Sequence, residues 1–328
     1  MKRFLFTFIL IGLTGIVMAN QSVTFKIQTQ SSASISSTMV SDVQRNISTL
    51  LTEINRANSS GSTPDLSGLN MEQGAKEKFL QIWSNMHFSC DDDINIQPCL
   101  ADAQGYEVRN IPITLKPLDD TYKKQLDREL VISFNKKGVL TGVSMALENN
   151  TYYTMLTKGK DVADARKRSE IIKFVEDYYS YYEDKNIEAL RNIFSDDALI
   201  ITGSVVIRKP VGDMMRAEAQ IRYSKQNKQG YLENLARTFK NNRYIKIDID
   251  DIKIKRNGGT GKENYYGVTL HQVWHSSNYS DEGYVFLLWD FRDEEHPVIH
   301  VRTWQPDHIG DKPLSKDDIL NMDDFFIP

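Results

Sequence analysis

Hydrophobic and polar positions in the first 150 residues follow two patterns that together predict a small α+β domain. Apolar residues alternate with polar ones over 23–27, which is typical of a short strand. From Ile35 to Ile54 they recur at helical spacing in one stripe, and a second helix is expected over 71–83. Three more runs have the composition of strands: 106–115, 129–134 and 139–147. The turn-like sequence Asn135-Lys136-Lys137-Gly138 joins the last two runs into a hairpin.

The second half begins with a longer helical pattern. Apolar and aromatic residues mark one side of a helix that starts at Ala165 and ends near Tyr182, and a short helix is expected over 187–194. A strand over 199–203 and a third helix over 231–241 follow. Four longer strands complete this half: 243–255, 265–277, 283–292 and 298–305. The order predicts helices packed on a mainly antiparallel sheet, so the fold class of the whole chain is α+β.

One run in this half resembles a known family. The run is Val175-Glu-Asp-Tyr-Tyr-Ser-Tyr-Tyr-Glu-Asp-Lys-Asn-Ile-Glu-Ala-Leu-Arg-Asn-Ile-Phe-Ser-Asp-Asp-Ala. It is similar to the opening of nuclear-transport-factor-2-like (NTF2-like) domains, also called SnoaL-like or cystatin-like cones. The resemblance covers residues 165–307 and implies a cone of helices on a curved antiparallel sheet, with a pocket inside. The family contains isomerases, dehydratases, cyclases and domains that only bind, so the resemblance implies a fold and no particular reaction.

The start of the chain predicts export. Basic residues at positions 2 and 3 precede an apolar run from Phe4 to Met18, and small residues precede a cleavage point after Ala19. The run is shorter than the ~18 to 20 apolar residues that a spanning helix needs, although an uncleaved anchor is the alternative. We expect no membrane insertion after cleavage and a periplasmic or extracellular location. The run from Tyr266, ending in His300-Val-Arg-Thr-Trp-Gln-Pro, resembles uncharacterised secreted proteins of Bacteroidetes-type bacteria, which implies a cell-envelope location.

The predicted signal peptide (1–19) leaves two domains, 20–150 and 165–307, and an acidic tail, 308–328. Net charge is −4, and no basic run or face stands out, so nucleic acid is not an expected partner. The sequence has no Walker loop, dinucleotide fingerprint, nucleophile elbow or zinc motif, and we expect no cofactor and no metal. Cys90 and Cys99, the two cysteines, are interpreted as a disulfide that closes a small loop.

Candidate binding residues cluster in the last strands. Period-two alternation places His300, Arg302 and Trp304 on one face of the final strand, with Asp290 on a neighbouring strand. Arg302 could hold an anion through its planar fork, and His300, held by Asp290, could act as an acid or a base. Trp304 would supply an apolar wall. Trp274 and Tyr178 complete the candidate ligand-binding set. The alternative is a cross-strand charge ladder on an outer face that packs against a partner.

We therefore expect an exported, non-catalytic binding protein of the cell envelope that uses the cone for a small molecule or a protein partner. One alternative is a small-molecule lyase or isomerase with His300 and Asp290 as catalytic residues. Another is a structural assembly subunit, and a homodimer through the sheet is expected if the outer face is an interface.

Overall fold

The computed structural model describes residues 22–27, 35–96, 99–101, 105–116, 127–146, 165–208, 218–294 and 296–325. It contains helices and sheets in both halves, as the predicted α+β class requires. The predicted signal peptide and the predicted boundary between the domains, 151–164, lie outside the described residues. Within the described part, no helix combines the length and apolarity needed to cross a membrane.

The N-terminal half packs two helices on a small sheet. The helices are α1 (Ser37–Ser60) and α2 (Gln73–Asn85). Ser36 caps α1 by accepting a hydrogen bond from the Met39 amide at 3.2 Å, and Gly61 ends it with a φ of +64°, a conformation that suits glycine. The strands are β1 (Thr24–Ile27), β2 (His87–Ser89), β3 (Asp93–Ile96), β4 (Cys99–Ala101), β5 (Gly105–Lys116), β6 (Asp127–Asn135) and β7 (Leu140–Met145).

The sheet of this half has the strand order β2-β5-β6-β7, with β4 also paired to β5, while β1 pairs with β3 in parallel. The predicted hairpin joins β6 to β7, and Gly138 adopts a φ of +75° in its turn. Apolar residues of both helices and of the strands form one core cluster. The predicted helices and strands of this half are therefore confirmed, with ends that shift by a few residues.

The C-terminal half packs three helices against a curled six-stranded sheet. The helices are α3 (Ala165–Glu183), α4 (Ile187–Ile193) and α5 (Lys228–Asn241). The strands are β8 (Phe194–Arg208), β9 (Glu218–Asn227), β10 (Ile245–Arg256), β11 (Tyr265–Ser276), β12 (Ser280–Asp290) and β13 (Val298–Pro306). Their order is β10-β11-β12-β13-β8-β9, with all pairs antiparallel except β13 and β8.

The two faces of this sheet have different coverings. The inner face carries Val285, Leu287 and Trp289, which pack with the helices in the main core of this half. The outer face carries Phe286 and Leu288, which form a smaller cluster with residues of the C-terminal tail. The tail forms the short strands β14 (His308–Ile309) and β15 (Lys312–Pro313) and two 3-10 turns, and the Phe325 ring stacks on Phe286 with centroids 5.4 Å apart. The tail therefore docks on its own domain.

The predicted disulfide is wrong, because Cys90 is a free thiol. Its Sγ lies 3.7 Å from Asn55 Oδ1, and burial raises the pKa of the thiol to about 12. The register of the sheet explains why Cys90 and Cys99 are far apart. Ser89, next to Cys90, pairs with Thr114 of β5, whereas Cys99 pairs with Val108 of the same strand. At ~3.3 Å per residue the two cysteine backbones are roughly 15 Å apart, whereas a disulfide needs Cα atoms within about 7 Å.

Candidate ligand-binding cleft

A bulge in β13 decides which candidate residues share a face. The register shifts at this point against both neighbouring strands: Leu288 pairs with Val301 but Trp289 pairs with Ile299, and on the β8 side the shift falls between Ile299 and Val301. His300 is the extra residue. A bulge places two successive side chains on the same face, so alternation breaks there. His300 and Val301 lie on the outer face, and Arg302 returns to the inner one.

His300 and Asp290 do lie together, as predicted, but on the outer face. His300 Nε2 is 3.1 Å from Asp290 Oδ2, and its Nδ1 is 3.2 Å from Asp197 Oδ1. The Tyr265 ring, part of the outer cluster, lies 6.0 Å from the imidazole. Burial opposes ionisation of Asp290, but hydrogen bonds from Arg292 and His300 outweigh it and lower the Asp290 pKa. The pair is a charge cluster away from the cone interior, so the prediction that His300 shares a face with Arg302 and Trp304 is wrong.

Arg302, Trp304 and Trp274 come together at a cleft between α5 and the inner face of the sheet. Its volume is about 650 Å³, within the range of small-molecule sites. Tyr231 of α5 forms part of the opposite wall. The remaining lining is mixed and includes Thr202, Gly203, Ser204, Val205, Thr238, Asn242, Gln272, Ser276, Tyr279, Asp281, Glu282 and Pro306.

Arg302 is held at the base of this cleft by tyrosines. Its Nε donates a 2.8 Å hydrogen bond to the Tyr178 hydroxyl, and its guanidinium carbon lies 5.2 Å from the centre of the Tyr231 ring. Hydroxyl contacts continue from Tyr178 to Tyr182 at 3.0 Å and from Tyr182 to Tyr231 at 2.6 Å. Arg302 as a whole residue is only 7% exposed. Tyr178 is not part of the cleft lining, so it positions Arg302 from behind.

The electrostatics of Arg302 are unusual for so buried a cation. Within the described part of the chain, no carboxylate oxygen forms an ion pair with it. Burial raises the Tyr182 pKa well above its ordinary value and that of Tyr231 to about 12, so both phenols are neutral at physiological pH. They offer dipoles but no negative charge. Burying a cation without a paired anion is costly.

Asp281 lies at the rim of the same cleft. Its Oδ2 accepts a 2.8 Å hydrogen bond from Tyr279, and burial raises its pKa despite that bond and the more distant charge of Arg302. Asp281 therefore shares the cleft with Arg302, and the described residues show no ion pair between the two.

Arg302, Trp304 and Trp274 are predicted from the sequence, whereas Tyr231, Tyr182 and Asp281 are not predicted as their neighbours. One signal was present: Tyr178 and Tyr182 are one helical turn apart, which places both hydroxyls on one side of α3. Nothing local in the sequence connects Tyr231 to them, because it lies on another helix 49 residues along the chain.

Of the known proteins compared with this chain, solved structures are the ones that match it. No family model matches the chain, and no curated protein matches it. A naphthalene 1,2-dioxygenase structure with bound indole covers 45% of this chain and 83% of its own, at 8% identity and a TM-score of 0.36. An NTF2-like protein of unknown function from Pseudomonas putida covers 47% and 96%, at 11% identity and a TM-score of 0.34. An NTF2-like protein from Cytophaga hutchinsonii covers 43% and 98%, at 11% identity and a TM-score of 0.32.

Proposed function

We propose that this is an exported, non-catalytic binding protein whose C-terminal cleft takes a small organic anion with a flat, apolar body. The observation that carries the proposal is Arg302, a buried guanidinium without a carboxylate partner among the described residues, at the base of an aromatic-walled cleft. A ligand carboxylate would supply the missing charge and accept paired hydrogen bonds from the guanidinium. Trp274, Trp304 and Tyr231 would then pack against the rest of the ligand.

The non-catalytic part of the proposal rests on the position of the acid–base candidates. His300 and Asp290 pair on the outer face, where they meet Asp197 and Arg292, and neither lines the cleft. A lyase or isomerase that used them would need its substrate on the outside of the sheet. Export rests on the sequence pattern of residues 1–19 alone.

Thermal-shift and calorimetric titrations with a panel of aromatic carboxylates test the proposal. Each acid is paired with its primary amide, which keeps the shape and removes the charge. We expect the melting temperature to rise with an acid and to change little with its amide, because only the acid neutralises Arg302. If no acid binds more tightly than its amide, the anion site is wrong.

Substitutions at two arginines of the C-terminal domain separate the cleft from the outer face. Arg302→Lys keeps the charge but loses the planar fork, and Arg302→Gln loses both, so the affinity should fall in that order. Arg292→Gln is the matched control, since Arg292 pairs with Asp290 on the outer face and its side chain is 62% exposed. Equal affinities in Arg302→Gln and Arg292→Gln would contradict the assignment.

A further inference from the structure

Three potential metal ligands meet on the outer face near the cleft rim. They are His271 of β11, Glu282 of β12 and Asp307, which directly follows β13, and one ligand atom from each lies within 4.8 Å of the others. Sheet pairing brings them together, because Glu282 is opposite Val273, two residues from His271, and the Asp307 amide faces the Glu282 carbonyl at 3.5 Å. No sequence motif announces the cluster, since its members are spread over 37 positions from 271 to 307.

The imidazole of His271 is oriented as a ligand. Its Nδ1 lies 2.9 Å from Asp250 Oδ1 on β10. Since a carboxylate oxygen accepts, this contact favours the tautomer in which Nδ1–H donates the hydrogen bond. Nε2 then carries the lone pair, and it lies 3.9 Å from Asp307 Oδ2. That distance is too long for a hydrogen bond but fits two ligands of one ion, each at about 2.1 Å. A carboxylate behind a ligating histidine is the usual arrangement at metal centres, because it fixes the tautomer and the ring.

The surrounding charge also favours a cation. Two carboxylates meet at the cluster, and a third lies behind His271. His308 Nδ1 lies 2.9 Å from Asp307 Oδ2. Among the described residues, His308 and His271 are the basic groups that contact these carboxylates. Like charges at this separation repel each other, and a divalent ion between them removes that cost.

We propose that His271, Glu282 and Asp307 bind a divalent transition-metal ion of the Zn²⁺ class, with water in the remaining positions. One imidazole nitrogen and two carboxylate oxygens form a mixed donor set that suits Zn²⁺ better than Ca²⁺ or Mg²⁺, which prefer oxygen ligands alone. Glu282 also borders the cleft. The bound ion would therefore reduce the negative charge at the cleft rim, but the site depends on its own residues and not on the proposed anion binding.

Isothermal titration of ZnCl₂ into the chelator-treated, tag-free full chain tests the site. We expect one ion per chain, with Ca²⁺ and Mg²⁺ binding at least tenfold more weakly. His271→Gln and Asp307→Asn should each weaken Zn²⁺ binding at least tenfold. The matched control is His275→Gln: His275 lies on the same strand, and both histidine side chains are 18% exposed. It should bind Zn²⁺ as the unaltered chain does.

Asp250→Asn is the second test and leaves all three ligands in place. It should weaken Zn²⁺ binding by about tenfold, since the carboxylate behind His271 is lost, without changing the melting temperature of the metal-free protein by more than a few degrees. Three results would overturn the site: no binding of Zn²⁺, unchanged binding in both His271→Gln and Asp307→Asn, or an equal loss in His275→Gln. The last would mean that Zn²⁺ binds adventitiously to surface histidines.

Discussion

Asp184, at the end of α3, is a buried acid that is poorly solvated by the protein. Ser180 Oγ donates a long 3.4 Å hydrogen bond to its Oδ2, and Oδ1 has no partner among the described residues. Burial raises its pKa to about 7, although the charge of Lys78 opposes the shift. The folded protein therefore holds the proton of Asp184 more tightly than the unfolded chain does, whose pKa is near the ordinary 3.8.

Because the Asp184 pKa is raised in the folded protein, the free energy of unfolding decreases as the pH rises. Below about pH 3.8 both states are protonated and Asp184 has no effect. As the pH rises to about 7, only the unfolded state ionises, so stability falls by about 1.4 kcal/mol per pH unit and then levels off. We predict that Asp184→Asn, which cannot ionise, gains stability relative to the unaltered chain by about 2–3 kcal/mol between pH 5 and pH 8.

Denaturant unfolding at several pH values measures this difference. Asp42→Asn is the control, because Asp42 forms an exposed pair with Arg45 on α1. Parallel stability curves of Asp184→Asn and the unaltered chain would show that Asp184 ionises normally in the folded protein.

At the scale of elements, β13 shows how far strand alternation can be trusted. The rule correctly placed Arg302 and Trp304 on one face and correctly brought Asp290 to His300. Alternation placed His300 on the wrong face, because the bulge at this residue depends on the register of β13 against both β12 and β8. The residues around the bulge are ordinary strand formers, so the local sequence does not mark it. β9 was missed for a related reason: it is polar, at the sheet edge and half-exposed, and thus lacks an apolar pattern.

Gly283 of β12 lies close to the backbone of β13 beside the cleft. A Cβ atom at this position would lie 2.1 Å from the Gln305 carbonyl oxygen and 3.1 Å from Trp304 Cζ2. A backbone atom cannot move aside as a flexible side chain can. We predict that Gly283→Ala destabilises the protein by about 1–3 kcal/mol through this overlap, measured by denaturant unfolding. Gly258→Ala, where a Cβ would meet nothing within 4 Å, should have a much smaller effect.

At the scale of the whole molecule, the sequence was informative about the two cores and uninformative about how they join. Helical and strand periodicity found most elements of both halves, because each element has its own apolar face. The described contacts between the halves include polar pairs between residues far apart in the chain, and such pairs leave no local pattern. Lys78 pairs with Asp177 at 3.4 Å, and Arg128 bonds to Asp248. The packing of the tail on Phe286 also depends on a face that only the folded sheet creates.

Arg109 is the most buried of these connections. Its guanidinium bonds to both oxygens of Glu176 on α3 and to Glu107 Oε1 at 2.8 Å, and the side chains of the three residues are at most 9% exposed. Removing the cation alone would leave two carboxylates buried between the halves. We predict that Arg109→Met lowers the free energy of unfolding by about 3–5 kcal/mol. Arg45→Met, which breaks the exposed pair with Asp42, should cost less than about 1 kcal/mol.

The double variant Arg109→Met/Glu176→Met separates the effect of losing the Arg109–Glu176 ion pair from the effect of losing the packing of the two side chains. It removes the guanidinium together with its bidentate partner, and the remaining Glu107 still has Lys173 Nζ at 3.9 Å. Because no carboxylate of α3 is then left facing the missing cation, it should be more stable than Arg109→Met alone, although it carries one more substitution. Calorimetric unfolding of the four chains of this cycle measures the coupling. If the two single losses simply add, the ion pair does not stabilise the junction between the halves.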